Sequence, residues 1–281
     1  MAKLEFIPQL VSVIMPVFNK EDVIADSVRS VQAQMYPHWE LIIVDDASTD
    51  GTSRIIHELA EKDPRIFIIE HQVNKGISQS RNSAMSAARG QYLAFLDGDD
   101  LWLPEKLPAQ IGFMRLFGEG FTFTEYRRIN DAGELGAQVR VPPRVTYSQL
   151  LKGNVIGCLT VVIDRAIVPE FQMESVKHED YVAWLKLLKM GYVARGIRQD
   201  LARYRVSSSS MSSDKGLSAS WTWKVYRKVE GLSLMRSIWC FMNYLVRALY
   251  VRSRTGIRPD IPESVSNRGN VPRAATPHAD T

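Results

Sequence analysis

The stretch from Tyr92 to Leu107, YLAFLDGDDLWLPEKL, places three carboxylates between two apolar runs. The apolar residues before Asp97 are typical of a buried strand. Asp97, Asp99 and Asp100 resist burial and repel one another, because two carboxylates about 4 Å apart repel by roughly 4 kcal/mol at an effective dielectric of about 20. The sequence therefore predicts that something at the end of this strand compensates their charge.

The same alternation of strand and polar loop continues outward from this stretch. LVSVIMPVF, ELIIVDD and RIFIIEH each precede a segment whose apolar residues have helical spacing. This order predicts a doubly wound α/β fold with a mostly parallel central sheet flanked by helices. In the second half, FTFTEYRRI and AQVRVPP predict a strand pair, and CLTVVIDR predicts another buried strand. HEDYVAWLKLLKMG predicts a helix ending before Gly191, and residues 217–254 predict two further helices.

Composition is typical of a globular protein. The chain has 281 residues, 45% of them hydrophobic, which is enough for a sizeable core. Cys158 and Cys240 lie in apolar stretches and are expected to be buried thiols in a reducing, cytoplasmic compartment. The N-terminus lacks the features of a signal peptide, and no apolar run reaches the roughly 18 residues of a spanning helix, so we expect neither export nor membrane insertion.

The positive charge is concentrated in residues 215–258. This segment has nine basic residues and one acid, a local balance of +8 within a chain of net charge +4. Its mixture of basic, aromatic and aliphatic residues is typical of interfacial helices, so we expect peripheral contact with the inner face of the membrane. The alternative is packing on the catalytic domain, or a homo-oligomer interface, through Trp221, Trp223, Trp239, Phe241 and Tyr244. We expect no nucleic acid partner, because no recognised motif accompanies the charge.

Polar loops follow all four strands of the first half, and the carboxyl ends of parallel strands share one rim where ligands bind. Asp45 and Asp46 directly follow the strand LIIV, and a carboxylate there is able to accept the imide N–H of a uracil. The alternative is capping of the next helix, for which Asp50 or Thr49 is the natural residue and Gly51 the turn.

The DGDD sequence predicts a divalent metal site. Asp97 and Asp99, with Gly98 allowing the backbone to turn, present oxygens suited to Mg²⁺ or Mn²⁺ and leave positions for a nucleotide diphosphate. The alternative is an acidic turn in which Asp100 caps a helix that begins near Leu103.

Five ordered motifs, VSVIMPVFN, IIVDDASTDGT, NKGISQSRN, YLAFLDGDDLWLPEKL and HEDYVAWLKLLKMG, resemble those of family 2 glycosyltransferases with the GT-A fold, over about residues 10 to 210. The resemblance implies an inverting, metal-dependent enzyme that uses a nucleotide-diphospho-sugar donor, with UDP as the expected nucleotide. More narrowly, the chain is similar to bacterial enzymes of teichuronic acid, lipopolysaccharide or exopolysaccharide synthesis. The implied acceptor is a saccharide or a lipid-linked saccharide.

The resemblance also implies roles for individual residues. Those implied to bind the donor are Pro16, Val17, Phe18, Asn19, Asp46, Lys75, Gly76, Arg81 and Asp97. Within this set Asp46 is implied to meet the base and Asp97 to lie near the ribose and the metal. Asp99 is implied to be the principal metal ligand.

Inversion needs a base that deprotonates the acceptor hydroxyl on the face opposite the diphosphate. By resemblance this base is Asp180, and Glu179 orients the acceptor or a neighbouring backbone. The helix dipole is expected to keep both carboxylates ionised, although ordinary acid placement in a first turn is the alternative. His178 is expected to be structural. Arg203, Arg205 and the four serines that follow them are expected either to close over the diphosphate or to form a solvated loop.

We divide the chain into a catalytic domain, residues 1–212, a basic aromatic helical extension, residues 213–258, and a disordered tail, residues 259–281. Residues 10–105 form the nucleotide-sugar half of the catalytic domain and 106–212 the acceptor half. A sugar-1-phosphate nucleotidyltransferase and a dinucleotide oxidoreductase both need a glycine-rich loop after the first strand, which MPVFNKED lacks. A catalytically inactive, nucleotide-sugar-binding scaffold at the membrane is the remaining alternative.

Overall fold

The computed structural model describes residues 6–168, 170–206 and 215–255. The strands are β1 (Ile7–Val17), β2 (Trp39–Asp45), β3 (Ile66–Glu70), β4 (Gly90–Phe95), β5 (Leu101–Trp102), β6 (Phe121–Ile129), β7 (Leu135–Val139), β8 (Arg144–Val145), β9 (Val162–Asp164) and β10 (Ala194–Arg205). The helices are α1 (Ile24–Gln32), α2 (Thr52–Ala60), α3 (Ile77–Ala87), α4 (Lys106–Phe117), α5 (Tyr147–Leu150), α6 (Glu179–Lys189), α7 (Lys215–Lys224) and α8 (Leu234–Thr255). A 3₁₀ turn covers Cys158–Thr160, and a π-helical segment, Val225–Val229, follows α7.

The strands form one mixed sheet in the order β3-β2-β1-β4-β9-β6-β10-β5, with β7 beside β6 and β8 beside β10. The first four strands of this order pair in parallel, β6 and β10 are also parallel, and β9 runs antiparallel between β4 and β6. Val17, Asp45 and Glu70 are in register across β1, β2 and β3, so the ends of these strands meet at one rim. The predicted fold class, a mostly parallel sheet flanked by helices, is confirmed.

The strands near the middle of the sheet are buried on both faces, because helices cover each side. Successive residues of a strand point to opposite faces, so Val13 belongs to the core shared with α1, α2 and α4. Its neighbour Ile14 belongs to the core shared with α3 and α6. The second core includes Trp184, which lies against the rings of Phe95 and Phe121 at centroid distances of 5.6 and 5.3 Å.

Two local expectations need correction. The helix expected near Leu103 begins at Lys106, because residues 101–102 instead form a short strand on β10 and the Leu103 N–H donates to the Leu201 carbonyl at 3.0 Å. Asp100 therefore does not cap that helix. Of the strand expected in CLTVVIDR, only Val162–Asp164 is extended. By contrast, α6 ends at Lys189 and Gly191 follows with φ of +100°, as predicted.

The two helices of the extension follow the sheet. Polar contacts join this segment to the preceding part of the chain. The hydroxyl of the buried Tyr226 donates to the Leu151 carbonyl at 2.5 Å. Glu230 accepts from Tyr147 Oη at 2.5 Å and from Lys189 Nζ at 3.0 Å. Across the three described ranges, none of the helices combines the length and apolar character needed to cross a bilayer. The tail predicted for residues 259–281 lies outside the described residues. Both cysteines are buried and unpaired, as predicted.

Candidate active site

Asn19 connects the loops that follow β1 and β2. Its N–H donates to Ser48 Oγ at 3.0 Å, and its Oδ1 accepts from the Thr49 N–H at 2.8 Å. The residue has a left-handed backbone with φ of 50°, a conformation that asparagine tolerates better than most residues. Among the residues implied to bind the donor, Phe18 and Asn19 are exposed, Phe18 at 44%, whereas Pro16 and Val17 are buried.

Asp46 holds the loop between β3 and α3. Its carboxylate accepts from the N–H groups of Lys75 and Gly76 at 2.9 and 2.7 Å, and it lies 2.7 Å from Nδ1 of His71. Burial opposes ionisation, but these hydrogen bonds outweigh it and lower the pKa of Asp46 below its usual value. The structure thus joins three of the residues implied to bind the donor, with the Asp46 carboxylate turned toward the loop between β3 and α3. The contact of His71 with Asp46 was not predicted from the sequence, although His71 immediately follows the strand RIFIIE.

Arg81 joins the end of β4 to the start of α6. Its side chain is 2% exposed, and its two terminal nitrogens each form a 2.6 Å ion pair, one with Asp97 and the other with Glu179. Burial disfavours the guanidinium charge, yet the adjacent Asp97 and Glu179 keep the pKa of Arg81 well above its usual value. The implied donor residues and the implied catalytic residues are therefore in direct contact through one buried cation.

Basic side chains of the protein compensate the DGDD carboxylates. Lys20 Nζ lies 2.6 Å from Asp99 Oδ2, and Arg81 pairs with Asp97. The Arg205 backbone N–H donates to Asp100 Oδ1 at 2.9 Å, and its guanidinium donates to the Asp99 carbonyl at 3.0 Å. Burial, followed by the charges of Asp99 and Asp97, raises the pKa of Asp100 well above its usual range. Lys20 was missed in the sequence, although it directly follows Asn19.

Asp97 and Asp99 are the two residues here that fit a divalent cation. Each side chain is about a quarter exposed, at 27% and 28%. Within the described part of the chain, no hydrogen bond reaches Oδ2 of Asp97 or Oδ1 of Asp99, and no cluster of three or more possible ligands is present. Mg²⁺ or Mn²⁺ is commonly held by one or two carboxylates, with substrate phosphates and waters completing its shell, and this pair fits that pattern.

Gly98 lies in the predicted turn, which the Asp100 N–H closes by donating to the Asp97 carbonyl at 3.0 Å, and it also serves close packing. Its φ lies outside the left-handed region, and a Cβ added there would come within 3.0 Å of Val17 Cγ2 and 3.2 Å of Ile24 Cδ1. The backbone between the two carboxylates therefore passes directly over the end of β1.

Asp180 lies in the first turn of α6, where its Oδ1 accepts from the Tyr181 N–H at 2.7 Å. Burial and then the charge of Glu179 raise the pKa of Asp180 to about 7, although Arg81 acts in the opposite direction. The helix dipole was expected to keep this carboxylate ionised, but burial outweighs it. A carboxyl that titrates near neutral pH is suited to accept a proton.

The residues around this turn have structural contacts. His178 has a left-handed backbone with φ of 60°, and its ring lies edge-on to Trp221 at 5.5 Å.

Arg203 pairs with Asp200 at 2.6 Å, so of the two arginines it is Arg205 that reaches the DGDD loop. The serines expected to close over a diphosphate, 207–210, lie outside the described residues.

Comparison with known proteins agrees with this geometry. The model of the protein family Glycosyl transferase family 2 matches residues 12–160, which are more than half of the chain. TuaG of Bacillus subtilis, a glycosyltransferase assigned to teichuronic acid biosynthesis, is 43% identical over 86% of this chain and 97% of its own. WfgD of Escherichia coli, named a UDP-Glc:alpha-D-GlcNAc-diphosphoundecaprenol beta-1,3-glucosyltransferase, is 39% identical over 84% of this chain and 92% of its own.

Solved structures show the same fold. Residues 1–349 of S. aureus TarS in complex with UDP-GlcNAc superpose with a TM-score of 0.65 and 20% identity, over 87% of this chain and 74% of that one. The mannosyltransferase PcManGT of Pyrobaculum calidifontis was solved with GDP-Man and Mn²⁺. It superposes with a TM-score of 0.64 and 20% sequence identity, over 89% of this chain and 76% of its own. These likenesses confirm the predicted GT-A fold. The family match and the close relatives show that the chain belongs to glycosyltransferase family 2 and is a glycosyltransferase.

Proposed function

We propose that the protein transfers a sugar from a UDP-sugar to an acceptor hydroxyl with inversion at the anomeric carbon, in the synthesis of a bacterial cell-surface polysaccharide. The observation that carries this proposal is the pair of ion pairs made by Arg81. They hold Asp97, at the end of the donor-side strand β4, beside Glu179 and the neighbouring Asp180 on α6. A donor anchor and a proton acceptor held close together are what a direct displacement requires.

The loops after β1, β2 and β3 form the proposed donor site. Phe18 offers an exposed aromatic face at the rim, and Asn19 fixes the loop that carries it. Asp46 orders Lys75 and Gly76 at the start of α3, so that its contribution to the donor site is the shape of that loop. UDP is the proposed nucleotide because WfgD is named for a UDP-glucose donor and TarS was solved with UDP-GlcNAc.

Asp97 and Asp99 are the proposed holders of the divalent cation, which when bound would offset the charge of the departing diphosphate. Lys20 occupies Oδ2 of Asp99 at 2.6 Å. Because this ammonium lies at the same rim, we propose that it turns to the diphosphate when the donor is bound. Arg205, on the other side of the DGDD loop, keeps Asp100 and the Asp99 carbonyl in place.

Asp180 is the proposed base. It removes the proton of the acceptor hydroxyl as the oxygen bonds to the anomeric carbon and the bond from that carbon to the diphosphate breaks. The electron pair of the broken bond leaves with the diphosphate, and the proton stays on the Asp180 carboxyl. Glu179 positions this turn of α6 through its ion pair with Arg81.

The proposed acceptor is a lipid-linked saccharide diphosphate, by analogy with WfgD. The test is a reaction of UDP-α-glucose with a synthetic GlcNAc-diphospholipid, followed by NMR of the anomeric proton of the product. We expect a β linkage, because a single displacement inverts the α donor. A product with an α linkage would contradict inversion. Binding of the donor with neither transfer to a panel of acceptors nor slow hydrolysis of the donor would favour the inactive scaffold.

Asp99→Asn is expected to abolish the dependence of UDP binding on Mn²⁺, because it removes the charge of the proposed principal ligand. Isothermal titration with and without Mn²⁺ measures this, and Asp26→Asn on the exposed face of α1 is the matched control. Lys20→Met is expected to act in the opposite direction on Mn²⁺ alone, tightening its binding by up to about fivefold, since a partly exposed ion pair is worth at most about 1 kcal/mol. Equal UDP affinity with and without Mn²⁺ in the unmodified protein would remove the metal assignment.

Asp180→Asn is expected to retain Mn²⁺-dependent UDP binding and to lose transfer by about 10²–10⁴-fold, the usual contribution of a general base. A base must be ionised, so turnover of the unmodified enzyme is expected to rise with pH through about 7, the pKa raised by burial of Asp180. The measurement is kcat against pH at saturating donor and Mn²⁺. Retained turnover in the variant, or a rate that falls as pH rises through this range, would exclude Asp180 as the base.

A further inference from the structure

Helix α8 presents a continuous apolar arc to the solvent. Its members are large side chains with exposed fractions between 44% and 78%: Leu234, Met235, Ile238, Trp239, Met242 and Val246. Their spacing places them on one side of an α-helix. Ser237 and Cys240, on the opposite side, are buried. We call this set of six side chains the apolar arc.

The remainder of the extension is anchored to the catalytic domain, which leaves the arc facing outward. Phe241 lies edge-on to Trp223 at 5.4 Å, and Trp221 lies against His178 beside the first turn of α6. Trp221 therefore packs next to α6, the alternative considered from the sequence, whereas Trp223 and Phe241 pack on each other within the extension. Neither contact accounts for Trp239, which is 63% exposed. A patch of this kind on a protein surface marks an interaction site.

The segment that carries the arc has an excess of positive charge in the sequence. Residues 215–258 contain nine basic residues, and their one acid, Glu230, is turned inward to Tyr147 and Lys189. Among the described side chains, Arg236 is exposed at the border of the arc. Anionic surfaces are therefore complementary to this segment, whereas a second copy of the chain would bring like charges together.

We infer that α8 docks on an anionic phospholipid bilayer, with the apolar arc at the boundary of headgroups and acyl chains and the basic residues among the headgroups. An amphipathic helix with a basic polar border lies in the interface plane in this way. The helix has 22 residues, so about 33 Å of it is available to lie along the surface. Docking needs neither donor nor metal, and it therefore stands apart from the chemistry proposed above.

The experiment is co-sedimentation of the full chain with vesicles of phosphatidylglycerol and phosphatidylcholine, compared with phosphatidylcholine alone, at about 0.1 M salt. The test variant is Met235→Glu/Trp239→Glu/Met242→Glu, which changes side chains that are 52–78% exposed and so spares the core. The matched control is Leu116→Glu/Phe117→Glu on α4, where the side chains are 75% and 59% exposed. The far-ultraviolet circular dichroism spectrum and the midpoint of urea unfolding of each variant serve as the check on folding.

We expect the unmodified chain and the α4 control to bind the anionic vesicles, and the α8 variant to bind them at least about tenfold more weakly. Arg236→Glu is expected to weaken binding by about fivefold or more for the charge removed, with little effect on phosphatidylcholine alone. Equal sedimentation of the α8 variant and the unmodified chain would overturn the inference. So would a dimer in light scattering that the α8 variant abolishes while neither protein binds vesicles, since that result would assign the arc to a second copy.

Discussion

The arrangement of this protein depends on one buried guanidinium. Arg81 has almost no contact with solvent, and its two terminal nitrogens bind carboxylates on different elements, Asp97 after β4 and Glu179 on α6. A buried charge is tolerated only when it is paired, and removing one partner of such a pair commonly costs about 3–5 kcal/mol. Arg81 and Glu179 are 98 positions apart in the sequence, so this contact joins α3 to the start of α6 over a long range.

The same principle governs the acids of the DGDD loop. Lys20, Arg81 and Arg205 each supply a cation or a donor to this loop, so the protein itself compensates part of the charge of the cluster. Two carboxylate oxygens remain without hydrogen bonds from the described residues, and these are the atoms that we propose bind the metal. The loop is thus pre-organised by protein cations, and the proposed exchange of Lys20 from Asp99 to the diphosphate links metal binding to donor binding.

Hydrophobic periodicity was sufficient to predict the parallel strands, most of their helices and the rim where the polar loops meet. The motifs were sufficient to indicate which carboxylates gather there. The partners of those carboxylates were harder to predict, because the pairing of Lys20 with Asp99 depends on how two loops fold over the sheet end. The pKa of Asp180 is a further case: a first-turn position favours ionisation, and only the tertiary fold shows that burial is the larger effect. Likewise, the apolar arc became distinct from the packing aromatics only when the buried side of α8 was known.

The most direct test of this account is a double-mutant cycle on Arg81's two partners, read as the free energy of unfolding in urea. Asp97→Asn, Glu179→Gln and the combined variant all change the charge around one guanidinium, so their effects are predicted to be non-additive by at least about 1 kcal/mol. Effects that add to within about 0.3–0.5 kcal/mol would contradict the central claim, because they would show that the two carboxylates are energetically independent.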